Sequence, residues 1–275
     1  MISSLWIICL FTFVIHFTES CVYSMRLAGI RTRQLAISLS FITSALLVSR
    51  LSNMGQAPLL GTMVDDVVRL NSVDALRFLE SQFRVVILVA FFGSLAGALF
   101  TPTMVVWLQK GIRRFHKSGS LAGTVLSAFR PKHMKQLILG VRLPRWGTLK
   151  TISLKTLPKN FLIMNIFVTA IYTIGVLCAL LAGAHLPELR STAIQLSGIV
   201  NGVATILFAI IVDPSGARIT DQAYHGDRPE SDVKSVVFYL LLTRLIGTLI
   251  VAQVLFFPFA KYIMIVTEFI ATHFA

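Results

Sequence analysis

The chain has 275 residues, 55% of them apolar and only 13% charged, about half the charged share of an ordinary soluble domain. Its formal net charge of +13 would suit nucleic acid only if the cations formed a soluble basic face, and here they border long apolar runs. Together with a mean hydropathy of +0.78, this excludes a water-soluble nucleic-acid binder and predicts an all-α, polytopic membrane bundle, because helices keep their backbone hydrogen bonds internal in lipid.

Six spans of about 20 residues are expected, at 3–25, 35–60, 85–108, 161–183, 192–213 and 236–257. The first lacks Lys or Arg before its apolar run and carries His16 and Glu19, so it reads as a retained helix rather than a signal peptide. A seventh stretch, 259–275, is broken by Lys261 and Glu268. It fits either a half-helix or an extension of the sixth span past Pro258. The whole chain forms a single transmembrane domain, 1–275, with a basic loop at 109–160 and an acidic loop at 214–235.

Charge asymmetry sets the direction of insertion. Twelve Lys or Arg lie in loop 109–160, three follow span one and three lie in loop 214–235, which makes 18 on one side against 5 on the other. This places the N-terminus outside and both loops in the cytoplasm. No acid occurs between Glu80 and Glu188. Within the basic loop, SLAGTVLSAF and HMKQLILGV read as amphipathic helices lying on anionic membrane lipid. On the other side, TMVDDVVRLNSVDALRFLESQFR reads as a solvated surface helix.

Polar residues form stripes along most spans. Thr12, His16, Glu19, Tyr23 and Arg26 are spaced by four and three, so they share one helical face. Span two holds Ser49, Arg50, Asn53 and Gln56, span four Asn165, Thr169 and Thr173, span five Ser197, Asn201 and Thr205, and span six Thr243, Arg244 and Thr248. Ser, Thr and Asn also serve as hydrogen-bond glue between membrane helices. Four ionisable residues (His16, Glu19, Arg50 and Arg244) are costly at membrane depth and point instead to a hydrated cavity. The competing reading is a structural ion pair of Glu19 with Arg50. GSLAG (93–97) and GIVNG (198–202) let helix backbones approach closely, either within the chain or across a homodimer.

Cys9, Cys21 and Cys178 lie in apolar segments without metal-ligand spacing and read as small fillers. There is no phosphate-binding GxxxxGK[ST], no HExxH and no GxSxG, so no cofactor, metal or catalytic residue is expected. Asp213, Asp221 and Asp227 in VDPSGARITDQAYHGD distantly resemble the metal-binding motif of CDP-alcohol phosphotransferases. The motif's Asp-Gly pair and its spacing are missing.

HFTES, SMRLAGIRTRQLAISLS, LVSRLSNMGQAPLLG and VDPSGARITD resemble the Amj family of bacterial lipid II flippases, the alternate class to the larger MurJ proteins. The resemblance is densest over residues 10–66. It implies a flippase of the bacterial cytoplasmic membrane that carries lipid II, the undecaprenyl-pyrophosphate-linked disaccharide-pentapeptide, from the inner to the outer leaflet. Arg50 and Arg244 would then form a cationic pocket for the diphosphate, since arginine offers planar paired donors. Asn53, Gln56 and Asn201 would meet sugar or peptide, and His16 and Glu19 would face the same hydrated interior. Two alternatives stand beside it: a phosphotransferase using the three aspartates, and a non-catalytic adaptor that docks cell-wall synthases through loop 109–160.

Overall fold

The computed structural model describes residues 2–274 apart from Phe129 and Arg145. It contains long helices joined by short turns, and the turns show why the chain reverses where it does. α1 (Ile2–Val22) and α2 (Ser24–Thr32) make the first span, separated at Tyr23. α2 ends on Arg33, whose φ of +56° is left-handed, a conformation uncommon for a residue with a Cβ. The turn is held from outside: the Arg33 guanidinium donates to the Tyr224 carbonyl at 2.9 Å, and the Tyr224 hydroxyl donates back to the Arg33 carbonyl at 3.3 Å.

α3 (Leu35–Leu70) and α4 (Val73–Ser118) follow, with 36 and 46 residues. At about 1.5 Å per residue both exceed the hydrocarbon thickness of about 30 Å. The expected surface helix around residues 62–84 is therefore two helix ends projecting beyond the apolar zone. They reverse at Asn71 (φ +43°) and restart where the Ser72 hydroxyl accepts from the Ala75 N–H at 3.2 Å, an N-cap that satisfies one orphan donor.

The basic loop is shorter than expected, because α4 runs on to Ser118. Its remainder contains α5 (Leu121–Ala128), α6 (Pro131–Ile138) and α7 (Trp146–Leu149). α5 lies within the first expected amphipathic segment, and α6 covers most of the second. The loop folds back on α4: Trp107 Nε1 donates to the Leu137 carbonyl at 2.9 Å and Lys110 Nζ to the Gln136 carbonyl at 2.6 Å. Thr103 Oγ1 bonds both backbone groups of Arg142, at 2.8 and 2.9 Å.

α8 (Lys159–His185) is the most enclosed span. A 3₁₀ turn at Pro187–Leu189 leads to α9 (Arg190–Leu207), a π-helical turn at Phe208–Val212, and α10 (Asp213–His225). The expected acidic loop is thus helical, with only 226–229 outside the helices. Pro214 has no N–H to return to the helix behind it and its ring crowds the preceding turn; the wide π turn sits where that bond is missing. α11 (Glu230–Ile246), a second π turn at Gly247–Val251, and α12 (Ala252–Phe274) complete the chain. α12 continues through Pro258, so 259–275 extends the sixth span as far as it is described. Among the described residues six helical segments are long and apolar enough to cross a membrane, and none is a strand.

Among the described residues the buried apolar side chains form two large clusters and a small third one of Met25, Ala28, Leu108 and Ile112. One apolar cluster joins Ile8, Leu60–Val67, Leu79–Ile87, the second half of α8 and α12 residues Phe256, Ala260 and Ile263. The other joins Tyr23, Leu27, Val105, Phe161, Ile219 and Val233–Leu241 at the basic-loop end. Along α1, α4, α8 and α11–α12 the residues between the two clusters are polar: His16 and Glu19, Ser94, Asn165 and Thr169, Arg244 and Thr248. The stripes therefore converge as one layer at mid-height.

The two glycine motifs have different roles. A Cβ on Gly93 would lie 2.7 Å from the Phe13 carbonyl oxygen, and one on Gly97 would lie 2.6 Å from Ser20 Cβ. GSLAG is thus the seam by which α4 packs against α1. A Cβ on Gly198 or Gly202 would meet nothing within 4 Å among the described residues, so the two glycines of GIVNG make no close helix seam there.

Candidate functional site

Arg244 is at the centre of the polar layer. It is 7% exposed and collects partners from two other spans. Its Nη2 donates to Glu19 Oε2 at 2.5 Å and lies 3.0 Å from His16 Nδ1, while its Nε donates to Ser94 Oγ at 3.2 Å. Glu19 Oε1 accepts from Ser49 Oγ at 2.9 Å. A charged pair at this depth survives only when its remaining hydrogen-bonding capacity is also met. Four elements (α1, α3, α4 and α11) supply the groups that meet it. The Glu19 side chain keeps 28% of its surface accessible, so the pair is reachable from one side.

Local backbone explains how Arg244 arrives there. The π turn follows it within three residues, and Thr248 Oγ1 donates to the Arg244 carbonyl at 3.0 Å. Gly247 packs so closely on α8 that an added Cβ would lie 2.6 Å from the Ile166 carbonyl oxygen. Short π segments inside helices are frequent at functional sites because they turn side chains out of the regular register.

The expected site residues separate. His16, Glu19 and Arg244 come together. Gln56 is buried one layer away, its Nε2 donating to Thr12 Oγ1 at 2.6 Å. Asn201 lies in the α8–α9 interface with its Oδ1 against Gly175, buried and without a hydrogen-bond partner. Arg50 and Asn53 are exposed on α3. Glu19 is paired with Arg244, so the expected Glu19–Arg50 ion pair is not formed, and Arg50 does not join Arg244 in one pocket. The reason is helical phase: Ser49 faces α1, and the next residue is turned by about 100° away from it. The Asn165, Thr169 and Thr173 stripe is interhelical and back-bonded glue, with Asn165 Nδ2 donating to the Leu240 carbonyl at 3.1 Å and to Thr243 Oγ1 at 2.8 Å.

Ser94 was absent from the expected site. Its signal was available: it is the polar residue inside GSLAG, on the face that packs against His16. The three aspartates of 213–227 do not gather. Asp213 pairs with Arg26 at 2.5 Å and Asp221 with His225 at 3.6 Å, and among the described residues no group of three His, Cys, Asp or Glu could hold a metal ion.

A family model described as Amj, alternate to MurJ, matches residues 11–267. The chain belongs to the Amj family. The lipid II flippase Amj of Bacillus subtilis (strain 168) is 36% identical over 268 residues, covering 96% of both chains. No solved structure matches the chain. The polar layer, with the π turn at Gly247–Val251 beside it, lies inside the region matched by the family model.

Proposed function

We propose that this Amj-family member is a lipid II flippase of the bacterial cytoplasmic membrane, with its N-terminus outside and the basic loop in the cytoplasm. The observation that carries this reading is the layer around Arg244. A buried ion pair fed by four helices and followed by a π turn is the kind of construction transporters use at the bilayer midplane. A family relative is named as a lipid II flippase, which supports lipid II as the cargo.

The chemistry follows from the groups present. A lipid that crosses the membrane can leave its apolar chain in hydrocarbon, so the protein shelters only the polar head. Arg244, held by Glu19, is a guanidinium that a diphosphate can compete for, and Arg50 and Asn53 offer exposed donors on α3, which contributes Ser49 to the same layer. Exporting an anion from a negative interior is favoured by about 2.3 kcal/mol per charge per 100 mV, which removes the need for a nucleotide-driven step. Activity resides in binding and translocation rather than in bond-making. The dispersal of the 213–227 aspartates favours this over the phosphotransferase reading.

The test is a cell depleted of every other lipid II flippase. Expression of this chain restores growth and outer-leaflet lipid II, and failure at normal membrane abundance overturns the reading. Cysteines placed at Lys117 and Lys150 should stay unlabelled by an impermeant external thiol reagent in intact cells. Labelling of both would reverse the topology.

A further inference from the structure

A groove of about 480 Å³ opens between α4 and α11, within the range of small-ligand sites, about 300–1,000 Å³. It begins beside the ionic layer, where Leu95 and Leu245 line it next in sequence to Ser94 and Arg244. It runs toward the basic-loop end along about 16 Å of α11, from Leu245 to Lys234. Its walls are apolar apart from Thr101 and Thr148. Its charged groups are three cations at the far mouth: Arg31, Arg142 and Lys234.

Those cations come from three separate parts of the chain. Arg31 belongs to α2, Lys234 to α11, and Arg142 to the basic loop, where its backbone is fixed to Thr103 of α4. Glu230 bridges two of them: Arg31 donates to its Oε1 through Nε and Nη2, at 3.1 and 2.8 Å, and Lys234 Nζ lies 3.2 Å from the same oxygen. Among the described residues Arg142 has no ion-pair partner. Three cations against one acid leave a net charge of two at the mouth of an apolar trough. Midway along the trough stands Pro102, which has no N–H to donate to the Ala98 carbonyl.

We infer that this groove is a binding site for a polyprenyl diphosphate lipid, its first isoprenoid units lying between α4 and α11 and its diphosphate held by Arg31, Arg142 and Lys234. Glu230 is the tethered anion that the diphosphate displaces. The inference rests on the flippase reading for its choice of lipid, and the charge supports the choice. A lipid-linked diphosphate diester carries two negative charges and free undecaprenyl diphosphate about three, where an ordinary phosphatidylglycerol headgroup carries one. The trough is shorter than a long polyprenyl chain, so the rest of the chain stays in the bilayer.

The test uses the full chain in phosphatidylglycerol nanodiscs with undecaprenyl diphosphate as the probe. A photoreactive benzoylphenylalanine replaces Leu99, which lines the groove, or Ile206, which is exposed on α9 outside it. Polyprenyl adducts at Leu99 should exceed those at Ile206 about tenfold, and Arg142→Gln should lower them about tenfold, the loss of one charge-assisted contact. Glu230→Gln should raise them by freeing Arg31 and Lys234. Equal labelling at the two positions, phosphatidylglycerol as the main adduct at Leu99, or no effect of Arg142→Gln would each overturn the site. Because Arg142 is exposed, its variant tests binding without removing a buried contact. Adduct formation is independent of transport. Groove labelling in a chain that fails to support growth would sink the flippase reading alone, and absent labelling in a chain that supports growth would sink the groove alone.

Discussion

Arg244 and Arg50 are the two arginines inside the expected spans, and they stand at one level, because Glu19 accepts from Arg244 and from Ser49, the residue before Arg50. Yet one is 7% exposed and tied to three side chains, and the other is exposed without an ion-pair partner among the described residues. Residue type and depth therefore do not decide a membrane arginine's role. Its helical phase does, by choosing whether the guanidinium meets protein or surroundings.

The comparison breaks most sharply at Arg244. Arg244→Leu leaves Glu19 unpaired inside the bundle and should cost about 3 kcal/mol or more, read as a large drop in melting temperature in detergent and in membrane abundance. Adding Glu19→Leu should restore most of it, since both charges then leave together. A double variant as unstable as the single one would show that packing, not charge, holds this layer.

The two glycine motifs give the next effect. Gly97→Ala forces a Cβ to 2.6 Å from Ser20 Cβ and 2.8 Å from the Phe17 carbonyl oxygen, an overpacking cost of about 1–3 kcal/mol at the seam that brings Ser94 to Arg244. Gly202→Ala meets open space and should leave the melting temperature unchanged or slightly raised. Equal losses from both would mean that Gly202 packs against something as well, a second copy of the chain being the first candidate to examine by crosslinking.

A smaller change is expected from Ser49→Ala. Glu19 keeps Arg244 and loses one neutral donor, about 1 kcal/mol. The smallest stability effect belongs to Arg50→Gln, within about 0.5 kcal/mol as for other surface changes. Outer-leaflet lipid II in cells relying on this chain should nonetheless fall. Full export with Arg50→Gln at normal abundance would remove Arg50 from the transport path.

How much of this could be read in advance differs by feature. The spans were legible because hydrocarbon imposes a length and an apolar composition that few other segments share. The stripe on α1 was legible because residues four and three apart must share a face. Spacing also showed which residues of α3 were polar, but not which of Ser49 and Arg50 would look inward, since neighbours along a helix differ by about 100° and the partner surface sets the zero. The long ends of α3 and α4 were missed because helix continues past lipid wherever local propensity allows, and hydropathy falls silent there.

By itself, then, the sequence determined a six-span helical bundle, the concentration of cations at one end and the presence of ionisable groups at membrane depth, all consequences of what lipid excludes. Only the tertiary structure decided that Glu19 belongs to Arg244, that Ser94 completes the pair, that GSLAG is an internal seam, and that Arg31, Arg142 and Lys234 meet at one mouth. Those are contacts between residues as far as 225 positions apart, and such contacts depend on the packing angle and phase of whole helices, which no local pattern encodes.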